Sequence, residues 1–264
     1  MAMSTKNAYN AVMRNSVRRA RQRAAYDYKT VHSVFNAASI YHVAFLPADP
    51  QDDPFPTILP MLGTMCSFSN PTGDLANTPL DIYLHGHAAS RLMKLPKDHP
   101  DGLPICVSAA ILDGIVLALA PFHNSCNYRS AVAHGYAVPV TDEKERLFAM
   151  TRITDSLVPG RWDNSRNPPT KGEDRSTGIL KVTVETASAK TRVGGPSDDK
   201  KDLKDPEVAG SIWTGVVPAW ETLGAPQASS ENKVIDLPTY LGDWRKSTNH
   251  GREQYANAAV NLEK

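Results

Sequence analysis

Leu80-Asp-Ile-Tyr-Leu-His-Gly-His-Ala-Ala-Ser-Arg-Leu-Met-Lys94 is the stretch that decides how this chain is read. Residues 80–84 form a short apolar strand. It runs into a small-residue turn, Gly86 to Ser90, and then into the cations Arg91 and Lys94. A strand that ends this way gathers backbone N–H groups, a hydroxyl and fixed positive charge, which is the chemistry an organic phosphate requires. Arg91 offers a planar fork of donors and Lys94 a point charge, while Ser90 supplies a hydroxyl. The stretch matches neither a Walker loop nor a dinucleotide fingerprint, so the phosphate would be held on a β scaffold.

A second segment lies about thirty residues on: Phe122-His-Asn-Ser-Cys-Asn-Tyr-Arg-Ser-Ala-Val-Ala-His-Gly-Tyr136, a polar turn feeding another strand. Arg129 and Ser130 interrupt its apolar pattern. They are either an outward polar set on a half-buried sheet or further cofactor contacts.

Outward from these segments the chain reads as short strands. Residues 39–45, 57–62 and 80–84 are rich in β-branched and aromatic residues. Residues 105–112 and 115–120 flank Asp113-Gly114, a strong hairpin signal. Residues 128–140 and the alternating run 179–185 add two more strands. Helices are few. Residues 30–38 have helical spacing, and residues 90–95 suit a helical turn. Residues 142–157 form a clear helix with acids in its first turn and an apolar stripe of Leu147, Met150, Ile153 and Leu157. The expected fold is therefore mainly β (α+β), an antiparallel barrel with a few peripheral helices. The expected organisation is a basic arm with one helical stretch over residues 1–29, the barrel domain over 30–223 and an extended tail over 224–264.

Composition narrows the function classes. At 264 residues and 41% hydrophobic content the chain can bury a core, and a formal net charge of +1 provides no global field for nucleic acid or an anionic membrane. No apolar run reaches the length of a membrane span. The N-terminal arginines are followed by no apolar stretch, so they are not a secretory signal, although an Arg-rich, acid-poor start also fits a transit peptide. Cys66, Cys106 and Cys126 are too few and too scattered for a disulfide framework, which favours a reducing cytoplasm.

Several features, taken in order, resemble the pyridoxamine 5′-phosphate oxidase-like proteins, in particular their flavin-nucleotide-binding branch, which includes the nitroimidazole-resistance proteins. They are Arg21-Gln-Arg23, Tyr41-His-Val-Ala-Phe45, Tyr83-Leu-His-Gly86 with Ser90-Arg91, Asn127-Tyr-Arg-Ser130, Pro159-Gly-Arg161, Ala189-Lys-Thr-Arg192 and Trp213-Thr-Gly-Val-Val-Pro218. The resemblance implies an FMN-binding split barrel, a homodimer with FMN at the subunit interface, and an FMN-dependent oxidoreductase acting on a small organic substrate. It further implies that His85, Gly86, Ser90, Arg91 and Lys94 cradle the phosphate, with Asn127, Arg129 and Ser130 nearby. Residues 58–62 are the expected wall for the ring. His87 departs from the family pattern. No catalytic acid or base is named, and neither nucleic acid nor a membrane is an expected partner.

Two alternatives stand beside this reading. Some split-barrel relatives bind haem through a histidine, which would make His85, His87 or His42 an axial ligand; the third reading is a non-catalytic flavin-binding module. A metal site built from His85 and His87 with His123, His134 or Cys126 lacks a second ligand pair at fixed spacing, so no metal is expected.

Overall fold

The computed structural model describes residues 7–49, 51 and 53–262. The first six residues of the arm, Pro50 and Asp52 of the following loop, and the last two of the tail lie outside the described residues. The chain divides into two compact units, Met1–Ala110 with Ser130–Lys190, and Ile111–Arg129 with Thr191–Lys264.

The first unit is built on a closed barrel. Its strands are β2 (Tyr41–Phe45), β3 (Thr57–Cys66), β4 (Asp81–His87), and the parts of β5 (Leu103–Leu117), β6 (Ser125–Pro139) and β7 (Thr177–Arg192) that fall within it. They run antiparallel in the order β7-β4-β3-β2-β5-β6, and β6 pairs again with β7 to close six strands. β1 (Ala24–Ala25) adds to β7. Closure depends on Gly135: a Cβ there would stand 2.1 Å from the Thr183 carbonyl oxygen, so only glycine lets β6 approach β7 so closely.

β2 alternates as a half-buried strand should, with Tyr41, Val43 and Phe45 inward and His42 exposed. β4 does not alternate. Ile82 and Leu84 enter the main core, while Tyr83 on the other face packs with Val140, Ala149, Ile153 and Ile179. Both faces are covered, which is why residues 80–84 read as one apolar run.

The cover on the Tyr83 face is helix α3 (Glu143–Leu157), started by Asp142, whose side chain accepts from the Glu145 N–H. Ile153 lies inward as expected, but Leu147 and Leu157 are 49% and 41% exposed. Polar pins set the helix rotation instead: the Tyr83 hydroxyl donates to Glu145 at 2.6 Å, and Arg146 donates to the carbonyls of Val140 and Thr177. Those bonds turn positions 145, 146, 149 and 153 toward the sheet and leave 147 outside. Helix α1 (Tyr28–Ala37) begins two residues before the expected start because Asp27 caps it through the Thr30 N–H.

Among the described residues the N-terminal arm holds no α-helix before Tyr28. It is stitched down as irregular chain with a single 3-10 turn at Arg21–Arg23, the Tyr9 N–H on the Tyr26 carbonyl and the buried Asn15 amide on the Ala187 carbonyl. The loop over 162–177 contains α4 (Lys171–Ser176), opened by a capping box between Thr170 and Glu173.

The second unit overturns two expectations. Asp113-Gly114 is not a hairpin turn, because β5 passes straight through it as one fifteen-residue strand. Asp113 is withdrawn from turn formation by Arg129, whose Nε and Nη2 grip its two carboxylate oxygens at 3.0 and 2.7 Å. Gly114 lies against strand β8 (Gly215–Pro218), where a Cβ would meet Val216 Cγ1 at 3.0 Å, so this glycine serves a close approach rather than a bend. Two short helices, α5 (Lys200–Lys204) and α6 (Pro206–Ser211), occupy the charged loop before β8.

The tail is extended only as far as Pro238, after which α7 (Thr239–Ala259) runs for 21 residues. Apolar periodicity does not reveal it because its only fully buried residues are the small Ala256 and Ala259 and most of its remaining inward bonds are polar. Arg245 donates to the Leu223 and Gly224 carbonyls, Asn249 exchanges bonds with Leu223, and Arg252 pairs with Glu221. Tyr255 takes the Arg129 guanidinium over its ring at 3.6 Å, and the Gly194 N–H satisfies the Ala259 carbonyl. No described helix is long and apolar enough to cross a membrane.

Candidate cofactor site

The turn after β4 is rigid by construction. The Ala88 N–H donates to the Ser176 carbonyl and the Ser90 N–H to the His87 carbonyl, both at 2.8 Å. His87 earns its place here: its Nδ1 accepts from the Ala89 N–H at 3.1 Å, so the imidazole braces the turn. Helix α2 (Arg91–Lys94) follows, and its orientation is set from below by Met93. Gly86 and Gly178 face each other across the β4–β7 ladder. A Cβ on Gly86 would meet Met93 Cε at 2.9 Å, and one on Gly178 would meet Met93 Cγ at 2.8 Å. With Leu92 and Met93 buried, Arg91 and Lys94 are left exposed.

The backbone N–H groups of Ala88, Ala89 and Ser90 are thus taken, and among the described residues the donors left on this turn are side chains. Ser90 stands at the N-cap of α2, yet its side chain makes no capping bond. Among the described residues neither Arg91 nor Lys94 has an ion pair. A hydroxyl, a guanidinium and an ammonium, all uncommitted, suit a phosphate in number and in kind. His85 lies opposite Leu62 on β3, and partial burial pushes its imidazole below the ordinary histidine value.

Arg91 connects this turn to a cavity. Its guanidinium lies over the Phe45 ring at 5.9 Å, and Phe45 is also part of the wall of a cavity of about 280 Å³. The remaining wall is largely apolar, with Leu46, Ile105 and Tyr136 beside Cys106 and His134. Burial raises the Cys106 thiol, so it lines the cavity protonated. Burial, and then the Arg14 charge, hold the His134 imidazole below its usual range, and its Nδ1 is buried without a hydrogen-bond partner among the described residues. Residues 58–62, the wall expected from sequence, do not line this cavity, and Ile58 is 61% exposed.

The other three residues named from sequence are committed elsewhere. Asn127 is fully buried; it donates to the Gly194 carbonyl at 3.2 Å and accepts from Arg192. Arg129 is held by Asp113 and Tyr255, and the Ser130 hydroxyl donates to the Lys190 carbonyl at 3.2 Å. Asn127 and Arg129 belong to the second unit; the other six named residues belong to the first. Sequence reasoning missed Phe45, Met93 and Gly178. The Met93 contact was legible only as a glycine on each of two strands. No group of three or more His, Cys, Asp or Glu side chains that could hold a metal occurs among the described residues.

Six antiparallel strands closed in this order, with helices around them, form a split barrel. The pyridoxamine 5′-phosphate oxidase family model matches residues 27–191, and the chain belongs to that family. Among solved structures it is similar to the flavocytochrome Anf3 from Azotobacter vinelandii, at 27% identity and a TM-score of 0.72, covering 89% of this chain and 97% of that one. It is similar in fold to the FAD and haem binding protein from Mycobacterium smegmatis, at 24% identity and a TM-score of 0.67, covering 84% and 97%. No curated protein sequence matches the chain.

Proposed function

We propose that this protein is a flavin-dependent oxidoreductase that holds its cofactor's phosphate on Ser90, Arg91 and Lys94. The observation that carries this reading is Arg91 over Phe45, which joins an uncommitted phosphate-type donor set to an apolar cavity. A flavin nucleotide has the same two parts, a phosphate and a flat ring. The bound flavin would supply the redox chemistry, and the chain's task is to bind and orient it. Arg91 and Lys94 neutralise the phosphate, Met93 keeps them aimed outward, and the Phe45 and Ile105 walls exclude water from the ring. FMN is the preferred cofactor, since the donor set accounts for one phosphate. The oxidised substrate is a small organic molecule, and the three free cysteines fit the cytoplasm. A homodimer is part of the proposal. Phe122 and Ile235, each 97% exposed, and Trp213, 65% exposed, are the kind of side chains a second copy would cover.

The test is an absorbance spectrum of the purified protein with the released cofactor weighed after denaturation. Stoichiometric FMN is the expected result. A colourless protein that takes up neither FMN nor FAD overturns the reading.

His134 favours haem as a second reading. Its imidazole lines the cavity and burial favours the neutral form that an iron ligand requires. This reading predicts an intense Soret band that His134→Ala removes.

A further inference from the structure

The phosphate turn is supported from β7, and that support begins on α3. From residue 163 to 176 every residue but Pro169 is exposed. Apolar burial therefore gives this stretch, α4 included, little hold on the barrel. Its last residue nonetheless holds the turn, because the Ser176 carbonyl accepts the Ala88 N–H at 2.8 Å. Two residues further on, Gly178 leaves the gap that Met93 fills. These two points of contact flank Thr177, which is itself the register partner of His87. Whatever fixes Thr177 fixes both.

Arg146, in the first turn of α3, is placed to do so. Its side chain is only 18% exposed. Nη2 donates to the Thr177 and Asp174 carbonyls, both at 3.1 Å, and pairs with Asp174 Oδ1 at 2.8 Å. Nη1 donates to the Val140 carbonyl at 3.3 Å. One guanidinium thus ties together the residue after β6, the end of α4 and the first residue of β7. Its place on the sheet is set by its neighbour Glu145, which accepts from the Tyr83 hydroxyl at 2.6 Å and from Lys181 at 3.1 Å. A planar fork of five donors reaches several carbonyls in fixed geometry, which a single ammonium cannot do.

We infer that Arg146 is a positioning residue for the cofactor phosphate. By clamping Asp174 and Thr177 it fixes Ser176 and Gly178, and through them the placement of Arg91 and Lys94. The inference rests on the phosphate reading of that turn. Arg146 spends its donors on main-chain carbonyls and Asp174, so it acts through the turn rather than on the phosphate. Loss of the clamp costs phosphate binding and leaves ring binding in place.

The test compares FMN with riboflavin, which has the same ring and no phosphate, by fluorescence titration of the full-length apoprotein, with thermal melts alongside. Arg146→Met lowers the FMN-to-riboflavin affinity ratio by about tenfold, the low end of what losing an outer support costs at a metal centre. Arg146→Lys keeps the charge and loses the fork, so its ratio also stays below wild type. Full recovery in Arg146→Lys would assign the effect to charge at a distance and overturn the clamp. Arg152→Met is the control: this arginine of the same helix donates to the Pro71 carbonyl, on the loop that precedes β4 rather than the turn that follows it, and its loss leaves the ratio unchanged. A merely structural Arg146 would lower stability and both affinities together with the ratio intact, which overturns the inference. Should Arg146→Met not fold, the ratio of Arg146→Lys decides alone, a lowered value supporting the clamp and a wild-type value sinking it. Arg91→Ala separates the clamp from the reading beneath it. If Arg91→Ala lowers the ratio and the Arg146 variants do not, the clamp fails and the phosphate site stands. If Arg91→Ala leaves the ratio at wild type, the phosphate reading fails and takes the clamp with it.

Discussion

Gly86 and Gly178 are register partners on neighbouring strands, and the space their missing side chains leave is filled by Met93 from the helix above. The cation-bearing turn is therefore positioned by a gap in the sheet. Gly178→Val would strike Met93 at Cγ and Sδ, atoms too near the backbone to swing aside. The expected cost is about 1–3 kcal/mol of stability from overpacking, with flavin affinity falling as α2 lifts. Gly86→Ala crowds the flexible Met93 methyl and otherwise makes ordinary contact with Met61, so it is expected to cost less. Urea melts of both variants, with and without added FMN, check the order.

On the proposed phosphate assignment, Arg91→Ala removes a charge-assisted contact of about 1.5–3 kcal/mol. Flavin affinity should fall about 10- to 150-fold. Arg91→Lys keeps the charge and loses the fork and the stacking over Phe45, so it should fall between the two. Titration of apoprotein with FMN measures all three, and equal affinities would remove Arg91 from the site.

Asp113 is almost wholly buried and holds Arg129 through two bonds. Asp113→Ala strands the guanidinium against Tyr255 and is expected to destabilise by about 3 kcal/mol, the lower end for a broken buried pair because Arg129 keeps some solvent contact. The double variant Asp113→Leu with Arg129→Met should recover most of that loss. Chemical denaturation of the three variants completes the comparison.

The fully buried His32 donates from Nδ1 to the Leu75 carbonyl at 2.8 Å and, as the neutral ring that burial favours, accepts the Tyr9 hydroxyl on Nε2 at 2.7 Å. Burial lowers its pKa from the ordinary 6.5, so as pH falls the unfolded chain takes up the proton first. Its contribution is whole above about 6.5 and drains away below that value toward the folded pKa. His85 and His134 are lowered in the same sense, so the informative quantity is the difference between wild type and His32→Gln. That difference should shrink on acidification. A gap that is flat with pH would show that His32 does not titrate on unfolding.

The barrel was legible because its strands announce themselves by β-branched and aromatic runs, and the Leu80-to-Lys94 stretch joined strand, turn and cations in one reading. The signals that misled were local ones answered from far away in sequence. Asp113-Gly114 has hairpin chemistry until Arg129 takes the aspartate and β8 fills the space beside the glycine. Helix α7 escaped because arginine and asparagine side chains bind it inward, and periodicity counts only apolar residues. At the site, the cations could be read from their residue types. Phe45 and His134 could not, since what makes them notable is the cavity they share.

Every side chain from residue 224 to 239 is exposed, while the helix beyond is bound back by Arg245, Asn249, Arg252 and Tyr255. The covalent link between those two parts is thus the least needed stretch of the tail. A protease that cut it once would leave two bands on a denaturing gel and a single peak on a sizing column.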